Sequence, residues 1–165
     1  MAQETMHDDP PAAEAMFECV GEDLKQALEE LRELARGLHP AVLTDRGLAP
    51  ALQSLANRAP FPIEITGVPV LRLPEAIEAA VSYVVAESLT NAAKYADASD
   101  ARVELSTRDE TVMVEIRDNG RGGASLSGGS GIRGLVDRIE ALGGQFTIES
   151  PAGAGTVINA ALPLR

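Results

Sequence analysis

The sequence predicts an α+β domain in which a mixed, largely antiparallel sheet is covered on one face by helices. Two segments, residues 101–107 and Thr111–Asp118, alternate apolar and polar residues and flank a hairpin-length turn, which is typical of paired strands with one buried face. A long helical pattern precedes them over residues 75–96, and a helical stripe follows from Ile132 to Leu142. Helices interspersed with half-exposed strands favour a sheet packed against a helical layer.

An N-terminal helix is predicted ahead of this domain, over residues 16–38. Its leucines recur at spacings of three and four between Leu24 and Leu38, and Pro40 ends the pattern. A narrow leucine stripe with charged flanks suits packing against a partner helix, and it equally suits an amphipathic helix lying on its own domain. Residues 1–15 are polar and acidic and contain proline, so we interpret them as a frayed chain end.

The remaining elements are short and are bounded by proline or glycine. Pro74 suits an early position of the long helix, and Gly143 closes the later helix. The pattern predicts a helix over residues 48–58 and strands over Ile63–Thr66, residues 145–150 and residues 156–162, which gives a sheet of about five strands.

Composition narrows the class of protein. The 165 residues are 45% apolar with a single cysteine, Cys19, so the chain builds its core without a disulfide framework. The net charge of −11 argues against nucleic-acid binding, which needs a basic face. No apolar run reaches the length of a membrane span, and we expect a cytoplasmic domain.

Two polar residues share one face of the long helix. Glu87 and Asn91 are four residues apart, and Lys94 and Tyr95 continue that face. A carboxylate and a carboxamide one turn apart offer oxygen ligands to Mg²⁺, which completes its coordination with water and phosphate. The same spacing also occurs on ordinary solvated helices.

Asp118 occupies an unusual position. The alternation of its strand places it on the same face as Val112, Val114 and Ile116, at the end nearest a run of glycines. A carboxylate there needs a hydrogen-bond donor, such as the amino group of an adenine. The alternative is an Asp that caps the following turn.

Seven glycines follow Asp118 and lead into the next helix. Glycine permits close backbone approach, and free N–H groups at a helix start can meet phosphate. We expect residues 124–130 to form a mobile lid. The G-x-G-x-x-G pattern from Gly129 begins eleven residues after the strand, too far for a dinucleotide-binding turn. The glycines are Gly120, Gly122, Gly123, Gly128, Gly129, Gly131 and Gly134.

Four motifs in order resemble the GHKL ATPases, and specifically the catalytic domains of histidine kinases. Residues 87–96 resemble the N box, 118–122 the G1 box, 129–135 the G2 box and 153–156 the terminal glycine–threonine motif. Residues 38–48 resemble the end of the dimerisation helix and the hinge of nitrate-sensor and fluidity-sensor kinases, which act on response regulators with helix-turn-helix outputs.

The resemblance implies a Bergerat α/β sandwich over residues 48–165, preceded by the dimerisation-helix remnant and hinge over residues 16–47. It implies ATP and Mg²⁺ as cofactors and γ-phosphoryl transfer to a histidine. Asn91 would ligate Mg²⁺ beside Glu87, which would act as general base or polarise the imidazole, and Asp118 would bind the adenine amino group. The implied nucleotide-binding set is completed by Lys94, Tyr95, Gly120, Gly122, Gly129, Gly131, Ile132, Arg133, Gly134, Leu135 and Thr156.

The sequence departs from the family pattern at two points. Tyr95 stands where the N box usually has histidine, and an acceptor helix is missing. Pro10 follows the acceptor-like His7 and forbids a helix, while His39 falls in the hinge. We therefore expect the acceptor histidine upstream, in a homodimeric parent kinase of which this chain is the C-terminal piece, itself monomeric or dimeric.

Two other functions fit the same motifs. One is a regulatory module on this fold, either an anti-sigma-factor-like serine kinase or a nucleotide sensor without transferase activity. The other is a dimerisation element with a vestigial nucleotide site. The hinge-like residues 38–48 speak against the first, and Glu87, Asn91 and Asp118 together speak against the second.

Overall fold

The structure is a computed structural model that describes residues 41–125 and 130–164, without the side chains of residues 41 and 130. The chain divides into Met1–Leu38 and His39–Arg165, and all described residues belong to the second unit. The predicted N-terminal helix, the frayed end, His7 and His39 lie outside the described residues, as do Gly128 and Gly129 of the glycine-rich stretch.

Helices and strands of the described residues follow one another in an α+β order. The helices are α1 (Ala41–Arg46), α2 (Leu48–Ala56), α3 (Glu75–Tyr95) and α4 (Ser130–Ala141), and the strands are β1 (Ile63–Thr66), β2 (Ala101–Arg108), β3 (Thr111–Asp118), β4 (Gln145–Glu149) and β5 (Thr156–Pro163).

The strands form one mixed sheet in the order β1-β2-β3-β5-β4. Only β1 and β2 run parallel, and the other neighbours are antiparallel. This confirms the predicted five-stranded mixed sheet. Because β3 leads into the glycine-rich stretch and is antiparallel to both neighbours, the sheet also excludes the parallel strand arrangement of a dinucleotide-binding unit.

A two-residue turn joins β2 to β3. Asp109 and Glu110 have φ angles of 48° and 56°, which is the left-handed pair of a type I′ hairpin turn and matches the twist of the strands. Glycine or asparagine usually fills such positions, so this turn gives only a weak sequence signal. The turn sets the register in which Asp118 lies opposite Ala101.

The helices bury one face of the sheet. Alternate residues of β2, β3 and β5 point into a single hydrophobic core, and α3 and α4 supply the facing layer. The side chains with no exposed surface in this layer include Val81, Val84 and Val85 of α3 and Leu135 and Ile139 of α4. Glu87 of α3 faces the first turn of α4, where it lies against Gly131.

The hinge-like segment forms a helix that the sequence did not predict. Leu43 of α1 is buried in the same core as α2, and the Arg72 guanidinium reaches the Leu43 and Thr44 carbonyls, each at 3.4 Å. Arg72 in turn binds the buried Glu78 carboxylate at 2.8 Å. α1 is therefore held to the start of α3 as part of the domain.

Candidate functional site

Three segments meet at one end of the sheet. They are the C-terminal half of α3, the loop of residues 119–125 after β3, and the first turn of α4. The turn between β4 and β5 closes the arrangement from the side, because Gly123 N–H donates to the Ser150 carbonyl at 2.8 Å and Gly153 N–H donates to the Arg121 carbonyl at 2.6 Å.

The polar face of α3 carries the predicted metal-site residues. Glu87 is 7% exposed, and Asn91 is half-buried one turn later. The Asn91 carboxamide has no hydrogen bond to any residue that the structure describes, so its oxygen is available to a ligand. Lys94 and Tyr95 are exposed at the end of the same helix.

The first turn of α4 lies directly against Glu87. A Cβ on Gly131 would come within 2.6 Å of the Glu87 Oε1, so any larger residue here would push the Glu87 carboxylate aside. About two turns further along α4, the Arg138 guanidinium lies 4.1 Å from the centre of the Tyr83 ring, a cation–π contact. α3 therefore contacts α4 both at the predicted phosphate-binding turn and near the end of α4.

Asp118 is half-buried, and no cation of the described residues pairs with it. Its Oδ1 accepts a hydrogen bond from Gly120 N–H at 2.8 Å, and no described residue binds Oδ2. Its neighbours across the sheet are Ala101 and Thr156, and Thr156 is buried. A carboxylate oxygen that no described residue binds can accept from a neutral donor such as an exocyclic amino group.

The loop after β3 has its shape fixed by specific bonds. The Asn119 carboxamide oxygen accepts from the N–H groups of Ser99 and Asp100 at 2.9 and 3.1 Å, and Arg121 N–H donates to the Ala96 carbonyl at 2.8 Å. Gly122 has a φ of 66°, and a Cβ there would collide with the Pro151 carbonyl. The loop is consequently preorganised between α3 and the β4–β5 turn.

The remaining predicted residues differ in what they can contact. Ile132 and Gly134 are half-buried and Arg133 is exposed near the start of α4. Leu135 is fully buried in the core, so its side chain has no surface for a nucleotide and only its backbone can contribute. Gly129 lies outside the described residues.

Sequence reasoning missed three residues of this region: Tyr83, Asn119 and Ser150. Asn119 carried a signal, because Asp–Asn–Gly favours a side-chain-bonded turn. Tyr83 and Ser150 act through contacts with residues distant in the chain, which a single sequence does not reveal.

The residues of this site fit a magnesium ion that takes most of its ligands from water and from substrate phosphates. Among the described residues, no three His, Cys, Asp or Glu side chains cluster as a metal cage. Asn91 instead offers one oxygen next to the buried Glu87. Mg²⁺ keeps several waters and binds through few protein oxygens together with substrate phosphates, which agrees with this sparse set.

Comparison with known proteins identifies the class. The model of the histidine kinase-, DNA gyrase B- and HSP90-like ATPases matches residues 76–165, which include all of α3 except its first residue, the glycine-rich residues 120–134 and the last two strands. The chain belongs to this family.

Two curated relatives narrow the assignment. The chain is 31% identical over 152 residues to the histidine-protein kinase/phosphatase DegS of Brevibacillus brevis and 29% identical over 150 residues to the oxygen sensor histidine kinase NreB of Staphylococcus carnosus. Each alignment covers 86% of this chain, and the chain spans 39% and 43% of these relatives. The chain therefore carries the ATP-binding catalytic domain of a sensor histidine kinase similar to these two.

Solved structures agree on the fold. The blue-light activated histidine kinase EL346 of Erythrobacter litoralis matches with a TM-score of 0.61 at 23% identity, over 72% of this chain and 41% of that one. The histidine kinase AdeS of Acinetobacter baumannii matches with a TM-score of 0.56 at 13% identity, over 99% and 92%. Among the helices that the structure describes, none has the length and apolarity needed to cross a membrane.

Proposed function

We propose that the protein binds Mg-ATP between α3 and the loop that follows β3 (residues 119–125). It passes the γ-phosphoryl group to a histidine on a helix upstream of this segment, and the complete kinase is a homodimer. A response regulator then receives the phosphoryl group. The observation that supports the nucleotide site best is that one oxygen of half-buried Asp118, opposite buried Thr156 in the sheet, is bound by no described residue. A base with an exocyclic amino group satisfies that oxygen.

Each side chain has a role that follows from its position in the site. Asp118 accepts from the adenine amino group and orients the base. Asn91 supplies its oxygen to Mg²⁺, and that ion, when bound, neutralises charge on the phosphates. The phosphates lie toward the first turn of α4, where glycine backbone permits close approach.

During phosphoryl transfer, Glu87 lies beside the imidazole of the acceptor histidine. One imidazole nitrogen bonds to the γ-phosphorus as the bond from phosphorus to the bridging oxygen breaks and ADP leaves. Glu87 accepts or holds the proton of the other nitrogen. This part of the proposal needs a histidine from outside the described residues.

Titration calorimetry with a non-hydrolysable ATP analogue tests the site. We expect Asp118→Ala and Asn91→Ala each to weaken binding about 10-fold or more, because each removes a charged or ion-binding contact of about 1.5–3 kcal/mol. The Asn91→Ala variant should also lose most of the increase in nucleotide affinity that Mg²⁺ gives to the wild type. Asp45→Ala and Asn159→Ala change the same residue types away from the site and serve as controls.

Equal affinity in the wild type and both site variants would contradict the assignment. Phosphoryl transfer is followed in the same proteins with γ-labelled ATP and the upstream acceptor helix supplied. Acid-labile label on histidine should appear with the wild type and the controls and should fall with both site variants.

A further inference from the structure

The side of α4 that meets α3 carries two glycines and an arginine. Gly131 lies against Glu87, since a Cβ at that position would come within 2.6 Å of Oε1. Gly134 lies near Tyr83, whose hydroxyl oxygen would be 3.8 Å from a Cβ there. Arg138 covers the same ring, with its guanidinium 4.1 Å from the ring centre. Because these three positions of α4 recur at spacings of four and three, they form one stripe along the helix.

A second stripe holds α4 to the sheet. Leu135 and Ile139 have no exposed surface and belong to the hydrophobic core. At 3.6 residues per turn, this apolar stripe lies about a quarter of a turn around α4 from the stripe of glycines and arginine. One stripe alone leaves a helix free to roll about its line of contact, whereas two stripes on different sides fix its rotation. The contact with α3 therefore determines which way the first turn of α4 faces.

The arginine gives that contact its side-chain attraction. The two glycines allow close approach but have no side chains with which to hold it, and glycine also weakens a helix. The Tyr83 ring is only 8% exposed, so it offers a fixed surface on α3. A guanidinium over the face of such a ring is attracted to it. The pair thus joins a side chain of α3 to a side chain of α4, about 10 Å along the helix from Gly131.

We infer that Tyr83 and Arg138 are positioning residues for the phosphates of the nucleotide. The first N–H groups of an α-helix have no partner within the helix, and they bind phosphate only when they point into the site. By fixing the rotation of α4, the contact between Tyr83 and Arg138 sets that direction, and neither side chain touches the nucleotide. This inference rests on the proposed function, since it concerns the phosphate end of the same site.

Arg138 also acts in two ways that need no aromatic ring. It lies in the last turn of α4, where a cation interacts favourably with the helix dipole. As an exposed cation it also attracts an anion over a distance that salt limits. The experiment therefore has to vary the ring and the cation separately.

The test compares ligands with and without phosphates. Dissociation constants are measured for a non-hydrolysable ATP analogue by calorimetry and for adenosine by NMR titration. We expect Arg138→Met to weaken the ATP analogue about 4-fold and adenosine by less than about 1.5-fold, because a cation–π contact at an exposed site contributes about 0.8 kcal/mol. Arg138→Lys keeps the cation and should bind both ligands as the wild type does. Arg102→Met removes an exposed cation from β2 and should change neither affinity.

A double-mutant cycle shows whether the arginine acts through the ring. Tyr83→Leu removes the aromatic face without changing the charge, and it should reproduce the loss of affinity for the ATP analogue. Arg138→Met should add nothing in the Tyr83→Leu background. Denaturant titration checks that each variant is folded. Should Tyr83→Leu not fold, Arg138→Met and Arg138→Lys decide the question, since they change an exposed side chain.

Three results would overturn the inference and leave the nucleotide site intact. They are equal weakening of the ATP analogue and adenosine, unchanged affinity of Arg138→Met for the ATP analogue, and independent effects in the cycle. A wild type that binds neither ligand would overturn the proposed function as well.

Discussion

Two polar side chains occupy positions at which their elements otherwise bury apolar residues. Asp118 ends the apolar face of β3, and one of its carboxylate oxygens has no hydrogen bond to a described residue. Ser88 lies on the buried face of α3, next to Leu89, and its hydroxyl is the one fully buried side-chain polar atom without a partner among the described residues. We propose that a nucleotide binds the first, whereas the buried hydroxyl of the second has only a cost in folding free energy.

Replacing Ser88 by alanine should therefore stabilise the domain. The substitution removes an unsatisfied hydroxyl, which costs about 1–3 kcal/mol when buried, and improves helix propensity. After the lost packing of one oxygen, we expect a gain of about 0.5–1.5 kcal/mol in the free energy of unfolding. Denaturant titration measures it.

Thr90 provides the matched control on the same helix. Its hydroxyl donates to the Ala86 carbonyl at 2.7 Å, so Thr90→Val should give no comparable gain. A loss of stability in Ser88→Ala would show that its hydroxyl has a partner in solution, such as an ordered water.

At the scale of elements, the bridge between α1 and α3 depends on one buried carboxylate. Glu78 is 2% exposed, accepts three hydrogen bonds from Arg72 and accepts a fourth from Leu73 N–H at 3.1 Å. The hydrogen bond with Glu78 raises the pKa of Arg72 above its ordinary value, so the guanidinium stays charged as it reaches the α1 carbonyls.

Glu78→Ala should release α1 from the domain. The variant leaves Leu73 N–H and Arg72 without their acceptor, and we expect a loss of about 2 kcal/mol in unfolding free energy. Hydrogen exchange should show α1 opening before the sheet does. The exposed pair of Glu64 and Arg102 is the control, because Glu64→Ala should change stability by less than about 1 kcal/mol. Equal losses in the two variants would contradict the role of the bridge.

Elements with strong periodicity were predictable, and short ones with distant partners were not. Thr111–Asp118 alternates over its full length, and its predicted bounds are those of β3. α1 has six residues and little pattern, since its burial depends on Leu43 meeting the core and on Arg72, 28 or 29 residues away. The hydrogen bonds of Ser150 with the loop after β3 likewise form only when the β4–β5 turn packs onto that loop.

The open face of the sheet also combines a feature that the sequence pattern predicts with one that depends on how the strands pair. Alternation places Glu104 and Glu115 on that face, and the register sets them directly opposite each other, where like charges repel. Arg117 compensates by binding Glu115 at 2.6 Å, and this bond lowers the pKa of the Glu115 carboxyl. The site lies on the other face, so this charge pattern concerns stability alone.

For the whole molecule, α1, α2, the sheet and both longer helices share one hydrophobic core. A unit with one core is expected to unfold in one cooperative step, and a nucleotide that binds only the folded state must stabilise all of it. At one hundred times its Kd, the Mg-nucleotide should add about 2.7 kcal/mol, which raises Tm by about 5–10 °C for a chain of this size.

Calorimetry and circular dichroism should report the same transition with and without nucleotide. Asp118→Ala, tested at the same nucleotide concentration, should shift much less, since its affinity is lower while its core is unchanged. If instead the nucleotide moved only one of two separate transitions, α3 and the glycine-rich loop would unfold independently of α1 and α2. The single core that joins the hinge-like helix to the nucleotide site would then not hold in solution.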